Sequence, residues 1–131
     1  MESEQRVEFI EHPSFSREFE KFVKKHHCEV AYRHLKKLLD LHFHPIKNQI
    51  TLTPQVLRRI DRLGANVEVY KVIMNIKGLR QGQCPRVCFR HVGNLIMFLG
   101  FGTHLDNYKD SELKELIKVR LKDTDPNIEL I

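Results

Sequence analysis

Tryptophan is absent from the 131 residues, and only three tyrosines, five prolines and six glycines occur. So little proline and glycine excludes a collagen-like or Pro/Gly-rich low-complexity chain. Cysteine occurs three times, as Cys28, Cys84 and Cys88. That odd and scattered set gives no disulfide framework, so reduced thiols are expected. No apolar run approaches the roughly 18–20 residues of a membrane-spanning helix, so no membrane partner is expected. The opening stretch, Met1-Glu2-Ser3-Glu4-Gln5-Arg6, is polar and no signal-like apolar run follows it. A cytoplasmic location is the expectation. Lys and Arg number 22 against 17 Asp and Glu, a net +5. This balance suits contact with a polyanion without requiring it.

What is present is a single domain of α+β organisation over residues 1–131. Val7-Glu8-Phe9-Ile10 reads as a short strand broken by His12-Pro13. Ser14 suits a helix N-cap, and Phe15, Phe19, Phe22 and Val23 then recur at helical spacing. A second helix is expected over residues 29–42, with a stripe of Val30, Ala31, Leu35, Leu38 and Leu39. Residues 44–51 read as a linker. Thr53-Pro54 resembles an N-cap with proline at the first helical position. Val56, Leu57, Ile60 and Leu63 then predict a short third helix closed by Gly64, with irregular structure as the alternative. Asp110 or Ser111 caps a last helix carrying Leu113, Leu116, Ile117 and Leu121. Residues 123–131 are expected to form a flexible tail, in which Ile128, Leu130 and Ile131 have the option of docking.

Between these helices lie three strands. In residues 69–77, Tyr70, Val72, Met74 and Ile76 fall on one side and Lys71, Asn75 and Lys77 on the other, because strand side chains alternate. In residues 86–90, Val87 and Phe89 oppose Arg86 and Arg90. Residues 94–101 are apolar on both sides, as in a central strand. A polar turn with His104 follows. The pattern predicts a sheet with one apolar face, one basic face and a histidine at its rim.

This order of elements resembles the RelE/ParE superfamily, the toxins of bacterial toxin–antitoxin pairs. The likeness spans about residues 7–121. It rests on Val7-Glu8-Phe9-Ile10 leading into the Phe15–Val23 stripe, on Val69-Tyr70-Lys71-Val72, on Pro85-Arg86-Val87-Cys88-Phe89, and on Leu95-Ile96-Met97-Phe98-Leu99-Gly100-Phe101-Gly102. The resemblance implies a small antiparallel sheet of three C-terminal strands plus the N-terminal one, packed on N-terminal helices, with a C-terminal helix. Residues 46–65 exceed the family's usual length there and read as an insertion. Its RelE-like branch implies a metal-independent endoribonuclease acting on mRNA at the ribosome, with no cofactor. The RNA 2′-hydroxyl attacks its own phosphate and leaves a 2′,3′-cyclic phosphate and a 5′-hydroxyl.

By the same resemblance Arg86 holds the phosphate, His104 protonates the leaving oxygen, and Lys71 stabilises charge or helps activate the 2′-hydroxyl. Tyr108 stacks on a base or activates the hydroxyl. Lys77, Arg80, Arg90 and Asn75 are expected to line the RNA. A cognate antitoxin is the implied protein partner, in a hetero-oligomer. The chain departs from the pattern at Ile73, which replaces a strand lysine, and at Thr103-His104, which replaces a basic pair. A ParE-like gyrase inhibitor, a non-catalytic RNA-binding or regulatory protein, and an interaction protein with a merely solvated basic face stay open. His26, His27, Cys28, His34, His42 and His44 match no zinc spacing, so no metal is expected.

Overall fold

The computed structural model describes residues 7–45 and 50–131. It is an α+β domain with strands β1 (Glu8–Glu11), β2 (Leu57–Ile60), β3 (Glu68–Ile73), β4 (Arg86–Val92) and β5 (Leu95–Gly102). The helices are α1 (Pro13–His26), α2 (Glu29–Phe43) and α3 (Asp110–Thr124). Among the described residues the five strands form one sheet in the order β1-β5-β4-β3-β2. β1 runs parallel to β5 and every other pair is antiparallel. The expected antiparallel sheet is therefore a mixed one with a further edge strand.

That strand, β2, replaces the expected third helix. Leu57 and Ile60 are three apart, which suits a helix stripe equally well. In the fold they bury in two different apolar clusters. An odd separation along a strand sends side chains to opposite faces, and pairing with Val72 and Val69 of β3 satisfies the backbone. Residues 46–49 of the expected insertion and linker, and residues 1–6, lie outside the described part.

Helix α1 begins at Pro13, one residue before the expected Ser14 cap. His12 is the N-cap, and its Nδ1 accepts from Ser14 N–H at 3.0 Å. Proline at the first helical position costs no hydrogen bond. Phe15 of α1 and Tyr32, Leu35 and Leu39 of α2 pack with Val72, Met74, Val87, Phe89, Ile96, Phe98 and Phe101. This is the apolar side that strand alternation predicted.

The other side of the sheet is not an open basic face. Leu113, Ile117 and Leu121 of α3 cover it, packing with Val69, Cys88, Leu99 and Leu105. Residues 123–131 are docked rather than loose. Ile128 is buried in the same cluster, and Ile131 N–H donates to the Leu63 carbonyl at 2.9 Å.

A bulge makes this two-faced packing work. Cys88 pairs with Gly100 but Phe89 pairs with Phe98, so Leu99 is an extra residue in β5. The bulge resets the alternation. Phe98 and Phe101, three apart, both reach the helix α1/α2 side, while Leu99 turns toward α3. Beyond Phe98, β1 no longer flanks β5. There Arg120 Nη1 donates to the Leu99 carbonyl at 2.7 Å, and Phe101 N–H donates to Glu18 Oε1 at 3.0 Å. Glu18 and Arg120 bind each other through two bonds of 3.0 and 2.9 Å.

Glu18→Ala is expected to cost about 2 kcal/mol, because it strands a mostly buried guanidinium and a backbone N–H. Thermal unfolding should show a midpoint roughly 6–8 °C lower. Replacing Glu18 and Arg120 together by leucine should cost less than the sum of the single changes.

Burial, then a hydrogen bond to Glu68, pushes the Tyr70 phenol up to about 12, and burial and Glu11 raise Tyr32 as well. Unfolded phenols ionise near pH 10, so above that the unfolded state holds fewer protons than the folded one. Stability should fall as pH rises from about 10 through 12. Urea midpoints measured across that window, alongside phenolate absorbance, check this.

Candidate functional site

Where α3 stops covering the sheet, two cations of neighbouring strands converge. Lys71 lies in β3, on the side opposite Tyr70 and Val72, and Arg86 opens β4 two register positions away, opposite Ile73. Asp106 comes from the 3-10 turn Thr103–Asp106 that follows β5. Its Oδ1 is 3.2 Å from Lys71 Nζ and its Oδ2 is 2.6 Å from Arg86 Nη2. The Lys71 and Arg86 side chains are only 14 % and 17 % exposed, whereas Asp106 is 38 % exposed. Arg86 Nη1 also donates to the Cys84 carbonyl at 2.7 Å and the Gln81 carbonyl at 3.1 Å. The short 3-10 helix Gln81–Gln83 thus fixes the guanidinium plane. A cleft of about 190 Å³ opens over these groups, with Arg58 and Gln55 from the β2 segment at its edge.

His104 lies in the same 3-10 turn as Asp106. Its ring rests against Gly102, the register partner of Arg86. It meets the Tyr108 ring edge-to-face, with centroids 5.5 Å apart. Both are exposed. A β-carbon on Gly102 would come within 2.5 Å of His104 Cε1, so the bare backbone seats the imidazole. Beyond His104 a groove of about 540 Å³ runs along α1, with Phe22 and Phe101 in its wall and Lys21, Lys24 and Lys25 around it.

The structure therefore brings Lys71 to Arg86 and His104 to Tyr108, both at the turn that follows β5. It does not gather the remaining expected residues. Arg90 is 13 % exposed and bound to Asp125 at 3.2 Å. Asn75, Lys77 and Arg80 are exposed on the β3–β4 connection. Sequence reasoning missed Asp106, Arg58 and the α1 lysines. The last had a signal, since positions 21, 24 and 25 share one helix face. Asp106 had none beyond being an acid between His104 and Tyr108.

The thiols take no part in this chemistry. Cys88 is fully buried, and burial pushes it up to about 12 even though Lys71 and Arg120 pull it down. Cys28 is buried and its thiol is also raised by burial, and Cys84 is buried. A thiol nucleophile needs an accessible thiolate. Among the described residues no three His, Cys, Asp or Glu side chains converge as a metal site requires.

What the arrangement offers is a fork-shaped cation and an ammonium able to hold an anion, with a titratable imidazole and a phenol nearby. Compared with known protein families, curated proteins and solved structures, the chain matches none.

Gly102→Ala should displace the imidazole and also cost about 1–3 kcal/mol, because Gly102 has φ +155° and ψ 156°, a backbone region that L side chains rarely adopt. Proton NMR checks this. The ring-current shift that Tyr108 imposes on the His104 imidazole should disappear, while the thermal midpoint falls by roughly 3–10 °C.

Proposed function

We propose that the protein is a metal-independent endoribonuclease of the RelE-like toxin kind, acting on mRNA and held in check by a cognate antitoxin. The observation that carries this reading is the convergence of Lys71 and Arg86 on one carboxylate, from the turn that also carries the exposed His104. Two cations aimed at one small anion form the arrangement that charge development on a phosphate demands. The Arg86 and Lys71 positions are also those on which the resemblance to the toxin superfamily rests.

In the reaction the 2′-oxygen attacks the adjacent phosphorus as its proton passes to a base. The bond from phosphorus to the 5′-oxygen breaks, and that oxygen takes a proton. Lys71 and Arg86 stabilise the phosphorane charge, and His104 supplies the proton to the leaving oxygen. Tyr108, in contact with His104, orients the imidazole or stacks on a base. The groove along α1 suits the flanking nucleotides, with Lys21, Lys24 and Lys25 beside the phosphates and Phe22 beside a base. Arg58 at the cleft edge adds a further phosphate contact.

Asn75, Lys77 and Arg80 are exposed on the β3–β4 connection, whose Gln81 enters the Arg86 cleft, and in this reading they extend the path beyond it. An antitoxin with acidic segments would neutralise the protein by covering this surface. A gyrase inhibitor of the ParE-like branch has no use for an imidazole beside the two cations, and the same experiment separates it.

Induced expression should arrest growth and produce new 5′ ends on bulk mRNA by primer extension, and purified protein should leave cyclic phosphate ends. Arg86→Ala and His104→Ala should each lower cleavage by roughly 10²–10⁴-fold without loss of fold. Arrest without new ends would point to gyrase or another target, and RNA binding without cleavage to a regulatory protein.

A further inference from the structure

Asp106 is the one acid in the cation pair, and three observations separate it from an ordinary structural partner. Arg86 has already committed Nη1 to the Cys84 and Gln81 carbonyls, and Nη2 is held by Asp106. An approaching phosphate therefore meets this guanidinium at its two remaining hydrogens, on Nε and on the Nη2 that Asp106 also holds. Lys71 offers its ammonium to the other oxygen of the same carboxylate. A phosphodiester presents the same arrangement, one negative charge over two oxygens on a single central atom. Finally, the Asp106 carboxylate has no partner beyond these two cations among the described residues, and it is the most exposed member of the three. Glu18 in the neighbouring ion pair differs on each count, since it also accepts from Phe101 N–H and is 24 % exposed.

We propose that Asp106 is a built-in stand-in for the substrate phosphodiester, which must leave Lys71 and Arg86 before RNA is engaged. Asp106 is thereby a specificity-determining residue of the site. Weakly bound anions fail to displace it, while a polyanion anchored along the α1 lysines gains the local concentration needed to do so. The exchange keeps the two mostly buried cations neutralised throughout, so neither is left unpaired in the resting protein. It occurs in the turn that also carries His104, whose carbonyl accepts from Asn107 N–H at 2.9 Å. This assignment rests on the reading of Lys71 and Arg86 as phosphate-holding groups.

The test uses the full chain and an uncleavable 2′-O-methyl oligouridylate, so that binding is measured apart from cleavage. Asp106→Asn and Asp106→Ala should each bind this probe roughly tenfold tighter than wild type. The gain should vanish when Arg86→Ala is added. The dependence of log affinity on log salt should steepen by about 0.7, one extra cation being available to a single strand. Asp125→Asn, which removes the same charge from the Arg90 pair outside the cleft, should leave that slope unchanged. Thermal midpoints establish that both variants are folded. If both folded variants bind the probe equally or more weakly than wild type, with an unchanged slope, the proposal is overturned. Tighter binding by the variants supports the stand-in even where a ribose oligonucleotide is never cleaved, an outcome that removes only the nuclease reading. Where RNA is cleaved, Asp106→Asn should lower KM by the same factor and change kcat by less than about threefold.

Discussion

The ion pair between Glu18 and Arg120 is the constraint on which the rest of the molecule depends. It joins α1 to α3 beyond the end of β1, where β5 has lost its parallel neighbour. The bulge at Leu99 is placed there, and it exposes backbone groups that no strand can pair. Arg120 caps the Leu99 carbonyl and Glu18 caps the Phe101 amide. Without those two bonds the extra residue would leave polar backbone unsatisfied at the edge of an apolar core. With them, alternation is reset, and Phe101 faces α1 and Phe22 while Gly102 comes opposite Arg86. The location of the imidazole relative to the guanidinium follows from a charge pair that touches neither.

Much of this was legible in the residues. The phenylalanine spacing of α1, the leucine stripe of α2 and the three C-terminal strands follow from periods of 3.6 and 2, although the first of those strands ends at Ile73 rather than at the expected residue 77, which leaves Asn75 and Lys77 in a loop. Strand alternation also sorted Lys71 and Arg86 from Val72 and Val87 correctly. What local pattern could not decide was what covers the second face. Val69, Cys88 and Leu99 are apolar residues on the same side as Lys71 and Arg86, and α3 lies over them. β2 was illegible for a related reason. An apolar spacing of three serves a helix with one buried face and a strand buried on two, and only the partner β3 decides between them. Docking of residues 125–131 depends on Leu63 and Arg90, which are distant in sequence.

The charge pattern carries the same lesson. Arginines on the α3 side looked like a continuous basic surface, yet the fold supplies an acid to several of them. Arg90 meets Asp125, Arg120 meets Glu18, and Lys71 and Arg86 share Asp106. Each acid comes from another part of the chain, so no window of sequence reveals the match. The surplus of positive charge is carried instead by exposed side chains such as Lys21, Lys24 and Lys25, which flank a groove rather than line a flat sheet.

The pairing of β1 with β5 sets the order in which the chain can be completed. Glu8 leaves the ribosome early and Leu95, its register partner, late. During most of synthesis Phe15, Phe19 and Phe22 have no sheet to pack against. Such a long-range closure slows folding toward the range of sheet-rich domains. The two clefts at the end of β5 therefore do not exist until β5 and the turn after it have emerged. A nascent chain stalled before β5 would lack both clefts and be rich in exposed aromatic surface, which makes it a substrate for chaperones and proteases.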